Sequence, residues 1–142
     1  MVAADDSSAG SKRAGELAAG IGNICGAEVL LVRAYPVVLP VGEASKRSRA
    51  PGTSPGDARV DHEVELGMRA RRLEGDLGIR PRVRAVSGEA AQAILEAAEK
   101  GGVPTLVAVG RHGIGRLDRL RLGSVSTKVM RAARGPVLIV PP

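Results

Sequence analysis

A glycine-rich segment late in the chain has the residue types and the spacing that phosphate binding requires. It starts at Gly110 and reads GRHGIGRLDRLRLGSVSTKV. Gly110 lets the backbone turn sharply where a strand ends, and Gly113 lets a phosphate or a ribose approach without meeting a Cβ atom. Gly123 and Ser124 precede a predicted helix, whose free N–H groups and positive dipole end favour a phosphate. The segment therefore indicates a nucleotide site, although a glycine-rich turn that binds nothing would have the same composition.

Two commoner glycine motifs are excluded by the residues at their remaining positions. A dinucleotide fingerprint that used Gly113 and Gly115 would need a small residue where Asp118 stands. A P-loop that started at Gly110 would need a Lys and a Ser or Thr where Arg116 and Leu117 stand. A phosphate site in this segment would therefore differ from both.

The positive charge of the chain is concentrated in the same region. Lys and Arg total 21 against 15 Asp and Glu, which gives a net charge of +6. Residues 111–134 contain seven basic residues and one acidic residue, so the rest of the chain is neutral in sum. We expect this region to face anions. By contrast, Arg69, Arg71 and Arg72 alternate with acids on a predicted helix and indicate a solvated face.

Composition argues against several other kinds of site. The chain has one Tyr and no Phe or Trp, so it offers no aromatic platform for single-stranded nucleic acid, and nucleic-acid binding is not expected. Neither His62 nor His112 has a second ligand at zinc spacing, and no pattern marks a covalent nucleophile. The single cysteine, Cys25, is expected to be a small buried residue.

No apolar run approaches the roughly 20 residues that cross a bilayer, and the acidic start lacks the apolar stretch of a signal peptide. We therefore expect a cytoplasmic protein without membrane contact.

The elements that must position the glycine segment alternate between extended and helical periodicity. Predicted strands cover residues 2–4, 29–34, 82–86, 105–109 and 137–140, and a predicted helix follows each of them except the last. This order indicates a parallel sheet with helices on both faces, the doubly wound α/β class. A single domain over residues 1–142 fits the length. Residues 36–57, rich in Pro, Gly and Ser, are expected to form a flexible loop.

Several segments resemble the universal stress protein family. The pattern Gly110-x2-Gly113-x9-Gly123-Ser124, between a buried strand and a helix that leads into GPVLIV, is similar to that family's nucleotide motif. VAADDS at residues 2–7, AEVLLVRAYP at 27–36 and VSGEA at 86–90 resemble its first two strands and the turn that opens its third helix. The resemblance implies a Rossmann-like open sheet of five parallel strands in the order 3-2-1-4-5. It also implies ATP binding, which members that keep the glycine motif share.

The same resemblance implies which residues form the site. Asp5 matches the acidic residue near the adenosine, and Ala34 matches the position whose backbone meets the adenine. The ribose and phosphates would be held by Gly110, Gly113, Gly123, Ser124, Val125 and Ser126, with Arg116, Arg119 and Arg121 as candidates to neutralise charge. Asp6 stands where the family commonly has a small residue, and a Mg²⁺ ion that bridges a carboxylate and the phosphates would offset its charge. From the residues alone, Asp5 could instead serve only to cap a helix.

The function implied is that of a cytoplasmic stress-response regulatory module that binds ATP or AMP. A homodimer through the last strand, Val137 to Val140, and an unidentified regulatory protein partner are implied with it. Two alternatives stay open: an interaction module with a vestigial site, and slow ATP hydrolysis, for which the motif has no evident general base. Only four residues precede Asp5, so either the natural start lies upstream or the central strand is short.

Overall fold

Strands and helices alternate along the chain in the predicted order. The computed structural model describes residues 1–36, 55–100, 105–113 and 122–142. Its elements are β1 (Val2–Ala4), α1 (Ala9–Cys25), β2 (Leu30–Tyr35), α2 (Pro55–Leu77), β3 (Arg82–Ser87), α3 (Ala90–Glu99), β4 (Val107–Gly110), α4 (Ser124–Ala132) and β5 (Val137–Val140). The ends of three strands differ from the predicted ones by one or two residues. Most of the predicted loop over residues 36–57 lies outside the described residues, and α2 already begins at Pro55.

The strands form one parallel sheet in the order β3-β2-β1-β4-β5, which confirms the expected topology. β1 is central and pairs with β2 and β4. It has three residues, but main-chain hydrogen bonds continue the pairing, from Leu30 N to Met1 O (2.9 Å) and from Asp5 N to Val32 O (2.8 Å). Because the chain order reverses between β1 and β4, their carboxyl ends border the crevice in which doubly wound sheets bind ligands.

Helices cover both faces of the sheet and bury an aliphatic core on each. Leu31 and Leu66 are fully buried on the face of α1 and α2, and Val32 and Val129 are buried on the face of α3 and α4. Side chains of a strand point alternately to the two faces. Arg33 therefore shares the side of Leu31, which becomes important for the site.

Local signals in the sequence determine where α1 begins and ends. Ser8 is its N-cap, and the Ser8 hydroxyl accepts a hydrogen bond from the N–H of Ser11 at 3.2 Å, so Asp5 is not the capping residue. Gly26 ends the helix in the left-handed conformation, with φ of 62°. The expectation of a buried Cys25 is wrong: the cysteine is exposed, as are all residues from 23 to 26, whereas Gly22 is the residue of this last turn that is buried.

Candidate functional site

A cavity of about 200 Å³ opens at the carboxyl ends of β1, β2 and β4. Val32, Ile94 and Val109 contribute aliphatic walls to it. Every residue that the resemblance assigned to holding adenosine, ribose or phosphate borders this cavity: Asp5, Ala34, Gly110, Gly113, Gly123, Ser124, Val125 and Ser126. The fold thus brings the strand ends and the glycine segment together, while the contact of each residue with a ligand stays a prediction.

Gly110 lies where the first turn of α1 packs directly on the end of β4. A Cβ atom at Gly110 would lie 2.8 Å from the nitrogen of Ser11 and 2.9 Å from the carbonyl carbon of Gly10, both of them backbone atoms. Gly110 is not among the residues with positive φ. Close approach of two backbones, rather than a sharp turn, therefore explains the glycine at this position.

The start of α4 presents free main-chain donors to the cavity. Gly123 is the N-cap and provides no side-chain cap, and the first helical hydrogen bond runs from Thr127 N to Gly123 O at 3.0 Å. The N–H groups of the three residues between them have no partner within the helix. The Ser126 hydroxyl is buried and donates toward the carbonyl oxygens of Gly123 (3.0 Å) and Arg111 (3.1 Å). Its structural role is to tie α4 to the exit of β4.

Asp6 provides an exposed carboxylate beside the glycine segment. A Cβ atom at Gly113 would lie 2.6 Å from Asp6 Oδ2, and Asp6 Oδ1 accepts a hydrogen bond from the N–H of Ser8 at 3.0 Å. Asp6 also borders the cavity. Sequence reasoning could not tell which of the two adjacent Asp residues faces the glycines, because the direction of each side chain depends on the turn that joins β1 to α1.

The Asp5 carboxylate lies at the cavity wall, but its charge is engaged on the opposite side. Asp5 is 4% exposed, and its Oδ1 accepts hydrogen bonds from Arg33 Nη2 at 2.5 Å and from the N–H of Ser7 at 3.1 Å. Arg69 Nη1 lies 3.0 Å from Asp5 Oδ2, an ion pair without hydrogen-bond alignment. The acidic residue expected near the adenosine is therefore surrounded by two guanidinium groups.

Sequence patterns did not indicate that these two arginines contact Asp5. Arg33 interrupts a mostly apolar strand, and it is buried between Asp5 and Glu65 of α2, with a hydrogen bond to each. Burial alone would lower the pKa of the Arg33 guanidinium, but the hydrogen bonds and charges of Asp5 and Glu65 outweigh burial and raise the pKa. The interpretation of Arg69 as part of a solvated face is wrong, because its side chain is 14% exposed and turns inward to Asp5.

The basic region contributes less to the cavity than its charge suggested, as far as the described residues show. Arg111 borders the cavity. Lys128 instead pairs with Glu89 at 3.1 Å, and Arg134 pairs with Glu99 at 3.6 Å. Arg116, Arg119 and Arg121, the candidates to neutralise phosphate, lie outside the described residues.

Neither a preformed metal cluster nor a membrane span is found in the described part of the chain. No group of three or more His, Cys, Asp or Glu side chains there is arranged to hold a metal ion. No helix of the described ranges is long and apolar enough to cross a membrane.

Comparison of the sequence with known proteins points to one family. A family model described as the universal stress protein family matches residues 1–141. Universal stress protein YxiE of Bacillus subtilis (strain 168) is 39% identical over 71 residues, which are 50% of this chain and 47% of that protein. The alignment with this relative thus spans about half the length of each.

Solved structures of the same family share the fold over almost the whole chain. Universal stress protein UspA from Lactobacillus plantarum has a TM-score of 0.79 at 17% identity, over 98% of this chain and 94% of that one. A universal stress protein in complex with cAMP has a TM-score of 0.71 at 25% identity, with the same coverage of both chains. The universal stress protein from Archaeoglobus fulgidus in complex with dAMP has a TM-score of 0.66 at 21% identity, again over 98% and 94%. Identities of 17% and 21% show the fold alone, whereas the family-model match covers nearly every residue. The chain belongs to the universal stress protein family.

Proposed function

We propose that this chain binds an adenine mononucleotide, ATP or AMP, in the cavity and acts as a nucleotide-dependent regulatory module in the cytoplasm. The observation that carries the proposal is the meeting of two unlike walls in one cavity. One wall is aliphatic and lies at the strand ends, and the other is polar and consists of the glycine segment and the start of α4. An adenine nucleotide has the same two parts, an apolar base and a charged phosphate chain. The solved relative that binds cAMP supports an adenine ligand.

The aliphatic wall is suited to adenine in a chain that has no aromatic partner for the base. Val32, Ile94 and Val109 are at most 2% exposed, so they form a rigid apolar surface. Ala34 follows Val32 on the same side of β2, and its small side chain leaves room for the base to reach the main chain. A volume of about 200 Å³ is small for a ligand cavity, which favours a mononucleotide over a dinucleotide.

The polar wall is suited to phosphate. The N–H groups of Ser124, Val125 and Ser126 are open at the start of α4, and the first turn of this helix has no acidic residue to compete for them. His112 also borders the cavity, and both of its ring nitrogens are buried without a hydrogen-bond partner among the described residues. A phosphate oxygen would accept the N–H of the protonated ring nitrogen and remove the cost of that unpaired donor.

Asp6 fits the role of carboxylate ligand to a Mg²⁺ ion bound with the nucleotide. Mg²⁺ is commonly held by one or two carboxylates and by substrate phosphates, and it needs no full set of protein ligands. Asp6 is exposed and close to Gly113. When bound, the ion would neutralise charge between Asp6 and the phosphates.

Replacement of Ser124 by proline tests the phosphate wall without disturbing α4. Ser124 is the first helical residue, where the missing N–H and the fixed φ of proline are well tolerated. Gly123 before it has φ −65° and ψ 161°, a conformation that a residue preceding proline adopts readily. We expect S124P to bind AMP and ATP about tenfold more weakly in calorimetric titrations, because one hydrogen bond to a charged phosphate is lost.

The matched controls are S124A, which keeps the N–H and loses the hydroxyl, and adenosine, which lacks the phosphate. S124A is expected to stay within about threefold of the wild type, and S124P to bind adenosine unchanged, since an exposed hydroxyl contributes less than a helix N–H. If the wild type bound neither AMP nor ATP at millimolar concentration, the proposal would fall and an interaction module with a vestigial site would be favoured.

A further inference from the structure

A cluster of four charged side chains lies between the proposed nucleotide cavity and the helices on the far side of the sheet. Asp5 sits at its centre, with Arg33 of β2 on one oxygen and Arg69 of α2 beside the other. Glu65, one turn before Arg69, accepts a hydrogen bond from Arg33. The two acids and two bases balance, so the cluster is neutral as a whole.

The cluster also determines the course of the chain at the cavity entrance. Arg33 Nη2 donates to Ser7 Oγ at 2.8 Å, and Ser7 holds a left-handed backbone with φ of 68°, unusual for a residue with a side chain. Arg69 Nη2 donates to the carbonyl oxygen of Lys12 at 2.5 Å. Both arginines thus fix the turn and the first helical residues that follow Asp5.

The surface of α1 opposite Arg69 leaves space for the arginine side chain. Gly15 of α1 faces it, and a Cβ atom at Gly15 would lie 3.1 Å from Arg69 Nη2. A second cavity, of about 340 Å³ between α1 and α2, is lined by Arg33, Glu65 and Arg69 but not by Asp5. Asp5 borders the nucleotide cavity instead. The ion pairs therefore join the walls of two separate cavities.

We propose that Arg33 and Arg69 are positioning residues that hold the Asp5 carboxylate away from the ligand and cancel its charge at the cavity wall, so that the cavity accepts phosphate. This inference rests on the proposed nucleotide function, and within that function it changes the role of Asp5. Asp5 becomes the anchor of the β1–α1 turn, and the exposed Asp6 is the carboxylate that remains for the ligand or its cation. Without an arginine partner, the charge of Asp5 repels each phosphate charge that enters the cavity.

The test compares adenosine, AMP and ATP, whose negative charge rises with the number of phosphate groups. We expect R69M to bind ATP about tenfold and AMP about threefold more weakly than the wild type, with adenosine affinity unchanged, because the repulsion scales with ligand charge. Adding D5N to R69M removes the repelling carboxylate and should restore both affinities. R71M is the matched control, since it removes the same charge from an exposed position of the same helix and is expected to stay within about twofold.

D5N alone decides whether Asp5 touches the ligand. If Asp5 is only an anchor, D5N binds adenosine within about twofold of the wild type and binds AMP and ATP no more weakly, since no hydrogen bond to the ligand is lost and one negative charge is removed from the cavity wall. Equal weakening for adenosine, AMP and ATP in D5N would show a ligand contact and overturn the inference. Equal weakening of all three ligands in R69M, or no rescue by D5N, would overturn it as well.

Thermal unfolding separates this inference from the proposed function. D5N is expected to lower Tm by about 10 °C, because the buried Arg33 and the half-buried Arg69 lose a charged partner, while D6N changes Tm little. The effects of D5N and R69M on Tm should be non-additive and those of D5N and R71M additive. If the wild type bound no nucleotide, the proposed function would be wrong, but the Tm values of D5N, R69M and the double variant would still test whether Arg69 is a counterion of Asp5. Additive effects of D5N and R69M on Tm would refute that arrangement.

Discussion

Gly110 and Gly113 belong to one motif, but a side chain at each would meet a different kind of neighbour. At Gly110 the neighbours are backbone atoms of α1, which cannot move without shifting the helix. At Gly113 the neighbour is the end of the Asp6 side chain, which can rotate away. The fold therefore requires glycine at Gly110, whereas the absence of a side chain at Gly113 leaves open space in the candidate site.

We expect G110A to lower the free energy of unfolding by about 1–3 kcal/mol, the usual cost of overpacking. G113A should change the free energy of unfolding by less than about 0.5 kcal/mol, as is typical of exposed positions. Urea unfolding of both variants measures the difference. Equal destabilisation by the two substitutions would contradict the roles assigned to the two glycines.

For single residues, the sequence predicted several of those that come together at the cavity, but it did not predict which side chains form ion pairs with one another. Spacing within the glycine segment, together with the family resemblance, indicated Asp5, Ala34 and the polar wall, but not the aliphatic wall of Val32, Ile94 and Val109. The partners of Asp5 were not foreseen, because Arg33 and Arg69 reach it from other elements and local periodicity carries no information on such contacts. The free donors at Ser124 were foreseen, because a helix start is a local feature.

Among the elements, α3 and α4 are joined through a helix cap. Glu89 is the N-cap of α3: its carboxylate accepts the N–H of Gln92 at 2.8 Å and pairs with Lys128 of α4 at 3.1 Å. The hydrogen bond from Gln92 and then the one from Lys128 lower the pKa of Glu89 below its ordinary value of 4.5. A carboxylate with a lowered pKa stabilises the fold above its ordinary pKa, and this contribution is lost as pH falls.

We expect E89Q, which keeps a capping oxygen but loses the charge, to be less stable than the wild type by about 0.5 kcal/mol at pH 7, a small value because the pair is exposed. The difference should disappear as pH falls below 4.5, where the wild-type carboxylate becomes protonated. Chemical unfolding at a series of pH values measures it. E16Q, which removes the same charge from an exposed glutamate of α1 outside this cap, is the matched control.

The strand ends that the sequence misplaced are those determined by a neighbouring strand. β2 continues to Tyr35 because Tyr35 pairs with Ser87 of β3, although periodicity ended the strand one residue earlier. β4 begins at Val107, level with Val2 of the short β1, although the apolar run starts at Thr105. A run of apolar residues indicates that a strand exists, and its partner determines how far the pairing extends.

For the whole molecule, the strand order leaves two edges of different character. Alternation of strands and helices indicated a doubly wound sheet, but only the family resemblance supplied the order, because local patterns do not identify neighbouring strands. The order places β3 at one edge, where Arg82 and Arg84 discourage further pairing. β5 lies at the other edge, and its four residues are all aliphatic. An uncharged aliphatic edge favours addition of a strand from a second copy, in line with the predicted homodimer.

The alternation of main-chain groups along β5 allows this dimer to be tested without damage to the sheet. Pro136 O accepts the N–H of Val107 and Val140 O accepts the N–H of Arg111, so even-numbered residues of β5 face β4 and Ile139 directs its N–H to the free edge. I139P removes that outward donor and leaves the ladder to β4 intact, because proline is tolerated on an edge strand when its nitrogen faces outward. I139A loses similar apolar contact but keeps the donor. In sedimentation velocity we expect a dimer for the wild type and for I139A, and a monomer for I139P. A dimeric I139P would show that the copies do not join through the β5 main chain, and a monomeric wild type at high concentration would remove the homodimer itself.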